Sequence, residues 1–400
     1  MPPSRDFRLL WSASVISQLG DWSARLAIAL LVFAQTGRAS LVGAAATMFV
    51  LPWLGPGQLL ASFGDRMDRR RLLVGCDTLR AAVFVLIAAV DLPVGPLFVA
   101  IAVAALVDPV FEANRSALIV EVVPHDDYAD AIQLSHVADQ SAQLGGFALG
   151  GVLVALLEPE GTLAANAATF LLSALLISRV RARSSHHDRA VRPSLATAVA
   201  FVRSDAIAGI GTAATMIAVF CVAAVETQVA VYGEVVAGLG SAGIGLLAAA
   251  VPVGTIIVVG AVSVKGEDLA VLRRGVLAGL VVSALAGVSL AAEPRSPYTF
   301  PGFVLVGMAL AVAAPANVVV GRRIPGESRA GTFAMLQAAI FVALSTGAAV
   351  GGIVSESITP GASAATAMWL LTVGSAVAMI ALRTVAERRL GVTAASDHGE

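Results

Sequence analysis

Ser14, Gln18, Asp21 and Arg25 follow one another at spacings of four, three and four residues, which sets a hydroxyl, an amide, a carboxylate and a guanidinium on one helix face. The pattern returns in Asp130, Gln133, His136, Gln140 and Gln143, with Asp139 beside them, and a third set, Asp108, Glu112 and Arg115, also shares a face. Such side chains hold ions, pass protons and hydrogen-bond polar ligands. All three sets lie within long apolar stretches, so their cost decides where they face. Between residues 7 and 34 twelve Leu, Ile, Val and Phe residues each favour membrane insertion by roughly 0.3 to 0.6 kcal/mol, while a central Asp and Arg each oppose it by roughly 2.5 to 3.5 kcal/mol. The two sides nearly cancel. Asp21 and Arg25 are therefore expected to pair and to face protein or a wet cavity, since the lipid side leaves both charges uncompensated. Two roles stand open for them, a fixed ion pair that locks helix packing and a working place in a cavity. Asp21, Asp108 and Asp139 fall at similar depth when counted at about 1.5 Å per residue, where three carboxylates could exchange protons, and with Arg25 and Gln140 they are expected to line the cavity. Glu112 and Arg115 are expected to form a charge cluster toward the cytoplasmic side, and Gln140 to line the cavity with Asp139.

The elements that position these groups follow from hydropathy. The 400 residues are 58% hydrophobic and 13% charged, with a mean hydropathy of +0.86, and apolar stretches of 18 or more residues recur. A spanning helix needs roughly 20 apolar residues, so an all-α, polytopic membrane protein is expected and a soluble domain is excluded. Twelve spans are placed near 8–34, 40–63, 72–91, 95–118, 129–157, 162–180, 206–231, 241–262, 271–292, 300–321, 329–354 and 362–383. The first is read as a retained span and not a cleaved signal peptide, because it runs long and carries Asp21 and Arg25. The basic residues gather at the amino terminus, in 64–71, in 179–203, near 265–274 and 322–329, and in the tail. Arg38 and Arg295 fall in loops of the opposite side. The bias of Lys and Arg toward the cytoplasm puts both termini there.

The polar segment 181–204 divides the chain into an amino-terminal six-helix half, 1–180, and a carboxyl-terminal half, 205–385, followed by a cytoplasmic tail at 386–400. Asn114, Pro124, Gly145 and Gly151 recur as Asn317, Pro325, Gly347 and Gly352, at offsets of 203, 201, 202 and 201 residues. Two pseudo-symmetric halves are expected, as in transporters whose halves rock around a midplane site. The glycine clusters 145–151 and 347–352 are read as sites of close helix approach.

Between the second and third spans stands Gly64-Asp65-Arg66-Met67-Asp68-Arg69-Arg70-Arg71. With twelve spans, two halves and this loop, the chain resembles the major facilitator superfamily, whose signature at that place is Gly-x-Leu-Ala-Asp-Arg-x-Gly-Arg-(Arg/Lys). Ala61 and Asp68 replace the two family glycines. The loop, with Asp77, Arg80 and the Val123-Pro124 turn, looks like the branch of macrolide and siderophore exporters that exchange drug for proton. Two departures stand out: the fifth span has the glycines of the antiporter signature without its proline, and the fourth has no mid-membrane arginine. The resemblance implies a secondary transporter in the plasma membrane that exports a small organic molecule by alternating access, in exchange for protons or without coupling. It further implies that Asp65, Arg66, Arg69, Arg70, Asp77 and Arg80 form a conformational gate at the cytoplasmic helix ends.

Other chemistries find no support. The single lysine, Lys265, precedes a glycine instead of following one, so no Gly-Lys-Ser/Thr phosphate loop exists. No His-Glu-x-x-His, Gly-x-Ser-x-Gly or Gly-x-Gly-Asp run is present, and no enzyme activity, cofactor or metal is expected. Cys76 and Cys221 stand alone. The expected partners are a small-molecule substrate, protons and the lipid bilayer, with no nucleic acid, and the chain is expected to be a monomer; a sensor or scaffold that moves nothing is the reading from another class.

Overall fold

Ser4 accepts the backbone N–H of Phe7 at 3.1 Å and caps the first helix, α1 (Arg5–Thr36), which ends at Gly37 with φ 63°, a left-handed conformation that a side chain would strain. The computed structural model describes residues 4–54, 68–123, 128–181, 195–261, 264–325 and 329–396, and all its regular elements are helices. After α1 come α2 (Ala39–Val50), which runs into a 3-10 turn at Leu51–Leu54, α3 (Arg69–Ala89), α4 (Val94–Leu106), α5 (Asp108–Val122) and α6 (Tyr128–Ser178). The remaining helices are α7 (Leu195–Ser204), α8 (Ala206–Glu226), α9 (Val229–Val235), α10 (Ser241–Ala261), α11 (Asp268–Ala291), α12 (Thr299–Met308), α13 (Ala313–Arg323), α14 (Arg329–Ser357) and α15 (Pro360–Ser396).

Ten helical stretches among the described residues are long and apolar enough to cross a membrane. One of them, Val137–Ser178, is two spans in one, because Glu158 leaves the helical path at φ 62° and ψ 172° and Pro159 follows it. The shorter apolar helix Ala39–Trp53 completes the twelve expected crossings. The α4–α5 pair and the α12–α13 pair each make one crossing with an internal bend.

The chain packs as two compact units, residues 1–188 with 227–252, and residues 189–226 with 253–400. In the first, Leu10, Leu73, Phe111, Leu118 and Ile177 form a buried core; in the second, Ala208, Val320, Ile324 and Leu336 do so. Residues 227–252, which the sequence places in the carboxyl-terminal half, pack with the first unit, and a pair of glycines marks one point of contact. A β-carbon on Gly151 of α6 would lie 2.6 Å from Cα of Gly245 on α10, and the reverse holds equally. The same device seats α6 on α1: a β-carbon on Gly150 would lie 2.8 Å from Cα of Ser23, whose hydroxyl donates to the Gly146 carbonyl at 2.8 Å. In the second unit Gly347 and Gly351 of α14 meet the Phe220 and Ala224 backbone of α8. In a membrane, where lipid tails compete equally for apolar side chains, such backbone approach is what binds helices together.

Candidate functional site

Arg80 is the centre of the first unit's polar interior. It projects from α3, 4% exposed, among groups from three other helices. Its Nη2 lies 2.5 Å from Oδ1 of Asp77, one turn back on α3. Its Nη1 lies 3.1 Å from Oδ1 of Asp108 at the start of α5 and 3.7 Å from Oδ2 of Asp21 on α1. Phe111 and Phe170 cover the guanidinium, with ring centroids 4.5 and 4.4 Å from Cζ. Taking an unpaired ion out of water costs several kcal/mol, which partners must offset. Here the balance is lopsided: three carboxylates share one arginine, and Oδ2 of Asp77 and Nε of Arg80 are buried without a hydrogen-bond partner.

A second network lies beside the first. Arg115 of α5 holds Glu112 through two bonds, Nε to Oε2 at 2.9 Å and Nη2 to Oε1 at 2.8 Å, and lies 3.8 Å from Oδ2 of Asp139 on α6. The other oxygen of Asp139 accepts a hydrogen bond from Gln18 Nε2 at 2.7 Å. Gln18 and Asp21 are one turn apart on α1, and Asp108 and Glu112 one turn apart on α5. Neighbouring turns of the same two helices therefore carry both networks.

The intrahelical pair expected of Asp21 and Arg25 does not form. Asp21 turns to Arg80, and the Arg25 guanidinium lies over Trp22 at 4.5 Å and over Phe49 at 4.8 Å, with Nε buried and unbonded. The planar guanidinium is weakly hydrated and stacks on rings, so α1 and α2 hold it by its faces, while Asp21 and Asp108 attract it at longer range. The set Asp108, Glu112 and Arg115 is likewise divided, since Asp108 joins Arg80 while Glu112 and Arg115 join Asp139. Gln140, half-buried next to Asp139, takes part in neither network.

Of the residues expected to gate, Asp65 and Arg66 lie outside the described residues. Asp77 and Arg80 belong to the interior network. Arg69 and Arg70 remain at the helix ends, where Arg69 pairs with Glu121 at the end of α5. Arg70 Nη1 donates to the carbonyls of Val180 at 3.0 Å and Ser178 at 3.5 Å, satisfying the carboxyl end of α6. Asp68 caps α3 through the Arg71 N–H at 2.9 Å.

The second unit repeats this end with the charges exchanged. Asp268, at the start of α11, pairs with Arg323 at 3.0 Å and Arg322 at 3.5 Å at the end of α13, where the first unit has Arg69 and Glu121. Ser4, the cap of α1, donates to the Val122 carbonyl at 3.0 Å. Asp205, 201 positions on, accepts the N–H groups of Ile207 and Ala208 at 3.0 Å each and pairs with Arg323 at 2.7 Å, and Arg323 itself stands 201 positions after Val122. Burial alone would raise the Asp205 carboxyl, but the Ala208 N–H and the Arg323 guanidinium outweigh it and hold its pKa below the usual carboxylate value.

Among the described residues, the buried polar side chains of the second unit are neutral where those of the first include charges. Thr212 and Thr215 of α8, Asn317 of α13 and Gln337 of α14 line a slot of about 10 Å³, room for one water-sized group. Thr212 Oγ1 is buried there without a hydrogen-bond partner. Sequence reasoning noted Asn317 only as a repeat of Asn114; the difference lies in the tertiary setting, because Asn114 bonds back to the Val110 carbonyl at 2.8 Å while Asn317 is exposed to the slot. Phe111 and Phe170, which shield Arg80, gave no sequence signal, since isolated aromatics in an apolar helix look like core.

The model of the Major Facilitator Superfamily matches residues 10–267. An MFS-type transporter, YfiS, of Bacillus subtilis strain 168 is 28% identical over 169 residues, which are 42% of this chain and 40% of that protein. A second MFS-type transporter of that organism, YkuC, is 24% identical over 183 residues, 44% of this chain and 42% of the relative. The chain thus matches less than half the length of either. Two solved structures share the fold over nearly their whole length. A bacterial homolog of the human lysosomal transporter Spinster, inward-facing and occupied, superposes with a TM-score of 0.78 at 15% identity, covering 96% of this chain and 98% of that one. The nucleoside transporter NupG gives 0.73 at 13% identity, covering 95% and 99%.

Proposed function

Because the chain belongs to the Major Facilitator Superfamily, we propose that it is a secondary active transporter that exports a small organic molecule, such as a drug, siderophore or secondary metabolite, by alternating access in exchange for protons. It works in the plasma membrane with both termini in the cytoplasm. One observation carries the coupling: Asp21, Asp77 and Asp108, from three helices, compete for the single guanidinium of Arg80. Protonating one carboxylate removes its claim, and Arg80 moves toward the other two. A proton thereby changes which of α1, α3 and α5 are held together, and a ligand shifts a conformational equilibrium only by binding its states unequally.

The test begins with a thermal-shift screen of purified protein, because a ligand that binds the folded state raises its melting temperature. The ligand found is then followed in proteoliposomes with and without an imposed pH gradient. Accumulation against its own gradient only when protons flow the other way is the expected result. Transport that ignores the pH gradient would make the protein an uncoupled carrier.

A further inference from the structure

Where α1, α3 and α4 meet the second arm of α6, the first unit holds a hollow of about 250 Å³, at the end away from Arg69 and Arg70. Leu31, Ile87 and Leu97 give it an apolar wall, and Gln35, Asp91 and Glu160 line its mouth. No basic residue is among those that line it. The cavity is large enough for a small organic ion, since a water takes about 30 Å³ of liquid.

The second unit shows the same corner filled. Thr359-Pro360-Gly361 stands 201 positions after Glu158-Pro159-Glu160, and Glu293-Pro294 stands 201 positions after Leu92-Pro93. There the Glu293 carboxylate folds onto Gly361, which has no side chain to oppose it, and the Thr359 hydroxyl donates to it. The carboxylate occupies the corner and is satisfied within it. In the first unit the acid has changed places: leucine replaces Glu293, Glu160 replaces the glycine, and Glu158 replaces the threonine that would bond it. Removing the inward-folded carboxylate leaves space, and putting one on the opposite helix leaves negative charge at its edge without the hydroxyl.

We infer that this hollow binds an organic ammonium cation, its apolar part against Leu31, Ile87 and Leu97 and its charge between Asp91 and Glu160. Apolar walls with a few placed polar groups are the usual make-up of a small-molecule site. The site is separate from the Arg80 network and stands whether or not transport is coupled to protons. An ammonium can come from a soluble amine or from a lipid headgroup.

Purified full-length protein in maltoside micelles tests the assignment with three probes of one shape: benzyltrimethylammonium, the neutral neopentylbenzene and the anionic phenylmethanesulfonate. Ligand-observed NMR should show the cation binding and the other two failing to compete with it. Asp91→Asn with Glu160→Gln should weaken the cation by roughly tenfold or more, the scale of losing close, partly desolvated charge contacts. These side chains are exposed, so the double variant keeps its melting temperature. Ala88→Phe fills the hollow and leaves both carboxylates, and it should abolish binding; Leu31→Trp does the same from the other wall if the first variant fails to fold. In nanodiscs, competition by phosphatidylethanolamine and not by phosphatidylglycerol identifies the headgroup as the ammonium source, and equal binding in both identifies a soluble one. Equal binding of cation and neutral probe overturns the assignment, as does a filled hollow that binds as well as the parent. Displacement by millimolar magnesium to the same extent in parent and filled variant would reduce the effect to surface charge and also overturn it.

Discussion

Asp21 lies 3.7 Å from Arg80, a residue 59 positions away on another helix, and not against Arg25 one turn along its own. An intrahelical pair would only stiffen α1. A pair between α1 and α3, shared with Asp108 of α5, ties three helices to one guanidinium, and on the proposed coupling their relative position would follow which carboxylate is ionised.

Asp21→Asn should therefore abolish uphill efflux driven by a pH gradient while leaving substrate binding in place, and Asp108→Asn should do the same, since both compete for one nitrogen of Arg80. Asp139→Asn is expected to give only partial loss, because Arg115 keeps its two bonds to Glu112. Transport in proteoliposomes, with binding measured over a pH series, separates these outcomes. Full concentrative transport by Asp21→Asn would assign the Arg80 network to structure alone.

The close approach of α6 and α10 predicts a packing defect. Gly245→Leu places a side chain where Gly151 Cα would lie 2.6 Å from its first carbon, and overpacking of this kind costs about 1–3 kcal/mol. Its melting temperature should fall, whereas Gly238→Leu, with no neighbour near the added carbon but a φ of 64°, reports the backbone cost alone. Equal stability of Gly245→Leu and the parent would mean that the two helices separate freely at this point.

A pH dependence follows from Asp205. Its folded pKa is held below the unfolded value of about 3.9, so its contribution to stability is fully present above that pH and is lost as pH falls through the folded pKa. Asp205→Ala should lower stability at pH 7 by about 1 kcal/mol, the usual loss of a helix cap. Asp205→Asn, which keeps a capping oxygen, should lose less. The gap between parent and Asp205→Asn should close as the pH is taken from 5 to 3 in thermal melts. A gap that widens toward acid pH would contradict the pairing with Arg323.

Topology gives the simplest check. Reporter fusions at Arg189 and after Arg389 are both expected to read cytoplasmic, from the basic residues that crowd those segments. An external reading at either one would overturn the assignment of both termini.

The sequence by itself determined the class, the number of crossings and the two-fold repeat, because these depend on quantities that sum along the chain: apolar length, loop charge and a repeat spacing near 201 residues. It also marked Asp21, Asp108 and Asp139 as residues that face protein or a wet cavity, since the lipid side would leave their charges uncompensated. It showed the glycine clusters but not their partners, because a glycine states that something approaches closely and never what. Tertiary structure alone decided the pairing. Helical spacing puts Arg25 within reach of Asp21, yet reach is not choice: two aromatic rings hold Arg25 in place, and Arg80, covered by Phe111 and Phe170, needs carboxylates more. Which charge meets which is set by competition among groups brought together from different helices, and that competition has no period in the sequence.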